Sequence, residues 1–147
     1  LIHSTGLKRD GKAYLFVGKS GAGKSTVARI STDKSIVLSD DLTLTYITGE
    51  GGMVHGTPFF GEFGTGGSNI GARLTAIYFL SKADYNKVVP VATGPALRRL
   101  LLSVMYFGRD RETTEEVLNT VMSLCERIPC YELRFKPDDT FCRCIDG

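Results

Sequence analysis

The chain has 147 residues, of which 42% are hydrophobic and 23% charged, and carries a formal net charge of +2. A domain of that length buries roughly 70% of the surface its unfolded chain would expose, and so slight a positive balance gives no reason to expect nucleic acid or anionic membrane as a partner. Apolar runs such as Leu100-Leu101-Leu102 are far too short to span a bilayer. No signal peptide is visible, so a cytoplasmic protein is expected. The chain opens with Leu1 instead of Met, and a fragment of a longer chain is the expectation this raises. The spacing of Cys125, Cys130, Cys142 and Cys144 is not the usual one for zinc ligands, and reduced thiols are expected.

In chain order, Leu1 to Leu7 and Lys12 to Val17 read as two strands joined across Lys8-Arg9-Asp10-Gly11, where Asp-Gly supplies the positive φ of a hairpin turn. Tyr14-Leu15-Phe16-Val17 is an apolar run suited to a buried strand, and Lys24 to Ile30 is helix-compatible. Ser35 to Leu38 reads as a second buried strand, and Thr43 to Thr48 as one paired with Met53 to His55. Residues 49–71 hold nine of the 17 glycines, which disfavours regular structure and suits a mobile or ligand-shaped loop. Leu74 to Leu80 reads as a strand, Ala96 to Tyr106 as a helix with Thr93 and Pro95 at its start, and Tyr131 to Phe135 as a strand. Thr113-x-x-Glu116 has the form of a capping box opening a helix toward Arg127. The whole, 1–147, reads as a single α/β domain.

Gly18-Lys19-Ser20-Gly21-Ala22-Gly23-Lys24-Ser25-Thr26 fits the phosphate-loop pattern G-x-x-x-x-G-K-[ST] in full. The glycines let the backbone wind closely around phosphates, and the following helix adds free amides and its positive dipole end. Lys24 would supply charge to the β- and γ-phosphates, and Ser25 would ligate Mg²⁺. A nucleoside triphosphate with Mg²⁺ is the expected ligand. Such a site needs a carboxylate near its metal. Asp40-Asp41 follows an apolar strand, where an acid at the end of a parallel strand would sit, and alternation would aim the two side chains differently. One could hold Mg²⁺ while the other takes a proton.

Taken together, these residues resemble the catalytic domain of HPr kinase/phosphorylase and its relatives. A His in the first strand, His3, precedes the loop; the loop has the form G-x-S-G-x-G-K-S; an apolar strand then ends in Asp-Asp. The resemblance implies the fold shared with phosphoenolpyruvate carboxykinases, a mixed sheet with flanking helices. It implies that Lys24 binds phosphate, that Asp40 accepts the proton of a serine hydroxyl, and that His3 lies against the acidic pair. It also implies metal ligation by Ser25, Asp41 and Glu62, the last in Gly61-Glu62-Phe63-Gly64. Thr57-Pro58-Phe59-Phe60-Gly61-Glu62 resembles the divergent HPr-kinase-related proteins more than the well-studied enzymes. His55 is a second polar candidate for the site. Arg73, Arg98, Arg99, Arg109 and Arg111 are candidate substrate contacts, the plainer reading of each being a surface arginine.

The expected activity is therefore Mg·ATP-dependent phosphoryl transfer to a serine of a protein or peptide, with a homo-oligomer implied by the family. A small-molecule kinase would need a deep, enclosed acceptor pocket. A nucleotide-binding regulatory domain without turnover would more readily have lost the acidic pair, and both aspartates are present.

Overall fold

The computed structural model describes residues 1–59, 61, 64 and 67–145. It opens with a hairpin of β1 (Ile2–Arg9) and β2 (Lys12–Val17), turned at Asp10-Gly11, both with positive φ (48° and 77°). These are the angles a two-residue hairpin loop demands. Helix α1 (Lys24–Ser31), β3 (Ile36–Ser39), β4 (Leu42–Thr48) and β5 (Gly51–His55) follow, then the long β6 (Gly71–Lys82). The chain continues through β7 (Lys87–Pro90), α2 (Thr93–Leu101), α3 (Arg111–Arg127) and β8 (Cys130–Phe135), and ends in the short α4 (Cys142–Ile145).

The strands run in the order β2-β1-β4-β5-β6, and β2 also pairs with β6 in parallel, which closes these five strands into a barrel. Strands β8 and β7 extend the sheet beyond β6, and β3 pairs with β1. This overturns the expected phosphoenolpyruvate-carboxykinase-like α/β fold with its mixed sheet and flanking helices. The physical reason is the length of β6. Its twelve residues serve β5 at the start, β2 in the middle and β8 at the end, so the sheet curls shut instead of lying open between helix layers. Helices are few, and among the described residues none is long and apolar enough to cross a membrane.

After the exposed Lys12, β2 is apolar from Ala13 to Val17 because both its faces are covered there. Leu15 and Val17 join Val54, Leu74 and Ile77 in one core, closed by Leu100 of α2 and Leu124 of α3. Phe16 joins Tyr78, Leu133, Phe135 and Phe141 in a second, closed by Val27 of α1. There the Phe16 ring stacks on Tyr78 at 5.4 Å and meets the edge of Phe141 at 6.2 Å.

Several boundaries differ from the sequence reading. Helix α2 stops at Leu101, short of Tyr106, because the chain beyond it bonds to the start of β1: His3 N–H donates to Ser103 O, and Met105 N–H to Leu1 O. Helix α3 starts earlier than the expected capping box. Asp110 is its cap, accepting from Thr113 N–H at 2.8 Å. Strand β7 was not foreseen; it is an edge strand bonded to β8, a place where Pro90 is tolerated.

Replacing Phe16 with Ala leaves a cavity under two rings and is expected to lower stability by about 3–5 kcal/mol. Urea unfolding measures it, and a loss below roughly 1 kcal/mol would contradict this core.

Candidate functional site

Strand β1 lies between β2 and β3 and runs antiparallel to both. Its N-terminal end therefore sits beside the C-terminal ends of its two neighbours: Ser4 pairs with Val17, and Gly6 with Ser39. The glycine loop leaves β2, His3 opens β1, and Asp40-Asp41 leaves β3, all at this one end. The strand before the aspartates is antiparallel to its neighbour, not parallel as the sequence suggested. The reversal of β1 between β2 and β3 still brings both C-terminal ends together.

The loop is built for close backbone winding. Gly21 and Gly23 have positive φ (76° and 109°). A Cβ on Gly23 would lie 2.5 Å from Phe135 Cζ, and one on Gly18 would lie 2.7 Å from Ala22 Cβ. Gly23 is also the N-cap of α1 and has no side chain to offer that helix's first amides, which favours an anion there. Lys24 is 7% exposed. Its ammonium donates to Gly18 O at 2.7 Å and Lys19 O at 3.2 Å, which offsets the cost of burying the charge. The buried hydroxyl of Thr5 donates to Lys24 O at 3.1 Å and ties the start of α1 to β1.

The acidic pair is held as firmly. Ser39 Oγ, fully buried, accepts from the amides of Asp41 and Leu42, and Ser4 N–H donates to Asp41 O at 2.9 Å. The two carboxylates then part company, as alternation suggested. Asp40 is 2% exposed and its Oδ1 accepts from Gly61 N–H at 2.8 Å. The side chain of Asp41 is one-third exposed (33%), and its Oδ1 lies 3.1 Å from His3 Nδ1. Both aspartates, His3, Lys24, Ser25 and Thr26 line one cleft of about 300 Å³.

A family model matches the chain over its whole length, residues 1–147: that of SynChlorMet cassette protein ScmC. The chain belongs to the ScmC family. No curated protein matches it. The ScmC match corrects the assignment to HPr kinase/phosphorylase or its divergent relatives. That resemblance rested mainly on His3, the phosphate loop and the double Asp, all near the start of the chain and matched only in outline beyond it, whereas the ScmC pattern runs from end to end. A glycine loop with nearby acids is a local solution to holding phosphate and metal. Agreement there does not fix the rest of a chain.

Of the other residues singled out in this ScmC protein, Glu62 lies outside the described residues. His55 ends β5 with its Nδ1 3.1 Å from Gly56 O and is not among the described residues lining the cleft. Arg111 pairs with Glu115 along α3, and Arg99 bonds to Glu132 at 2.9 Å. Sequence reasoning missed Ser39, Ser4 and Thr5, which hold the site in shape, and the amide of Gly61. The roles of Ser4, Thr5 and Gly61 depend on partners far along the chain, which no local pattern marks. Ser39, in contrast, bonds amides two and three residues on and could have been read as a local serine turn. Among the described residues, no group of three His, Cys, Asp or Glu side chains is placed to cage a metal.

Gly23→Ala adds a methyl group against Phe135 at a φ that L residues avoid, and is expected to lower stability by about 1–3 kcal/mol. Thermal unfolding checks this, and an unchanged midpoint would contradict the loop geometry.

Proposed function

We propose that the chain is a Mg·ATP-dependent phosphotransferase acting on a serine hydroxyl of a protein or peptide. One observation carries the reading: the glycine loop, the His3–Asp41 pair and Asp40 share a single cleft at one end of β1, β2 and β3. Loop amides and Lys24 hold the triphosphate. Ser25 and Asp41 offer Mg²⁺ the hard oxygen ligands it prefers, with phosphate oxygens and waters completing its shell, so a cage of three protein carboxylates is not needed. The partial exposure of Asp41 suits an ion that retains water, and His3 fixes its carboxylate. When bound, the metal supplies charge neutralisation at the β- and γ-phosphates.

Asp40 is better placed for the proton. Its burial shields it from water, and the bond from Gly61 N–H fixes the direction of its carboxylate. The serine oxygen bonds to the γ-phosphorus as the bond from that phosphorus to the β–γ bridging oxygen breaks. ADP leaves with the electron pair, and the hydroxyl proton passes to Asp40. With Asp40 so little exposed, the acceptor reaches it as a flexible segment and not as a rigid surface. ATP bound without transfer to any acceptor would instead mark a regulatory domain.

Asp40→Asn keeps an acceptor for Gly61 N–H but removes the base. Transfer of labelled γ-phosphate is expected to fall by about 10²–10⁴-fold with ATP affinity unchanged. A variant as active as the wild type would remove the assignment. The acceptor itself can be sought by mass spectrometry of phosphorylated serines in a lysate treated with the protein and Mg·ATP.

A further inference from the structure

A second cavity, of about 700 Å³, lies along the first half of the glycine loop and meets the phosphate cleft at His3, Ser20 and Gly21. Its floor is a cross-strand row, Val17 on β2, Phe79 on β6 and Glu132 on β8, and its rim is the end of α2, where Leu102 is 80% exposed. Resting on the phosphotransferase reading above, we propose that this cavity holds the acceptor, an acidic peptide segment that carries the serine.

Three features select that occupant. The first is position: the cavity opens onto the phosphate cleft at the loop residues Ser20 and Gly21, so a chain lying in it passes beside the bound phosphates. The second is charge. Lys19, Lys82 and Arg99 line the cavity against a single carboxylate, Glu132. That carboxylate is itself held by Arg134 and Arg99, each at 2.9 Å, and the two guanidiniums, Arg134 foremost, keep it below the usual carboxylate range. Glu132 is thus matched already, and the lysines are left to face the ligand. The third concerns the nucleoside, the competing occupant. The Arg99 guanidinium lies 5.6 Å from the centroid of Phe79 and covers a face of that ring, so the cavity's phenyl group is not offered for stacking on a base. Carboxylates flanking the serine would meet Lys19 and Lys82, while an apolar residue would rest on Leu102.

The test uses serine peptides flanked by Glu or by Lys, with the intact protein and its Lys82→Glu and Leu102→Glu variants, both changed at exposed positions. Peptide binding is read by fluorescence anisotropy, ATP binding by calorimetry and transfer with labelled ATP. The acidic peptide is expected to bind at least about tenfold more tightly than the basic one. Each variant is expected to weaken it by about the same factor, Lys82→Glu by turning an attractive charge contact repulsive and Leu102→Glu by setting a negative charge where an apolar residue rested, with ATP affinity unchanged. Equal binding of both peptides, or binding of neither, would overturn the inference. So would variants that lose ATP instead, since the cavity would then hold the nucleoside. Selective acidic-peptide binding without transfer would leave the cavity assignment standing and remove the phosphotransferase reading. Transfer indifferent to flanking charge would do the reverse.

Discussion

The reversal of β1 between β2 and β3 is the constraint on which the site depends. In a hydrogen-bonded trio with an antiparallel centre, the outer strands end where the middle strand begins. The glycine loop, His3 and the aspartates come from three separate stretches of chain, yet this arrangement leaves them at one edge. Buried hydroxyls then fix the positions more finely. Thr5 holds the first residue of α1, and Ser39 holds the turn that carries Asp40 and Asp41. Such hydroxyls are costly to bury unless bonded, and each is satisfied by a backbone group of the element that it positions.

The barrel makes this edge rigid. Closure through β2 and β6 places the strand that feeds the loop between two cores, one closed by α2 and α3 and the other by α1. A loop that must keep its amides aimed inward benefits from a strand that cannot twist away on either side. The same closure sets Val17 beside Phe79 on the floor of the second cavity, and α2, which stops at Leu101, leaves Leu102 and Ser103 at its rim.

Much of the local structure could be read directly. The Asp-Gly turn, the apolar run Tyr14 to Val17 and the spacing of Gly18, Gly23 and Lys24 each name a conformation through chemistry within a few residues. The pairing of β4 with β5 followed from the β-branched run Thr43 to Thr48 set before Met53 to His55 across a glycine turn. Closure could not be read this way, because it is decided by β6 meeting β2 some sixty residues away, and a single strand pattern does not say how many neighbours it has. The family likeness failed for a related reason: it weighed the phosphate-binding signature, which local physics imposes, more heavily than the length of chain beyond it. At the site, the sequence pointed to His3 and both aspartates. It did not separate buried Asp40 from half-buried Asp41, a distinction set by Gly61 N–H and by which carboxylate meets His3. Glu132 and Lys82 carried no signal, since their neighbours lie on other strands.

Isothermal titration calorimetry of the wild type and of Lys24→Ala with Mg·ATP tests whether the loop from Gly18 to Ser25 holds a nucleoside triphosphate. Saturable binding at one site is expected, lost or greatly weakened when the Lys24 ammonium is removed. Absence of ATP binding to the wild type, or affinity indifferent to Lys24, would contradict this reading of the loop.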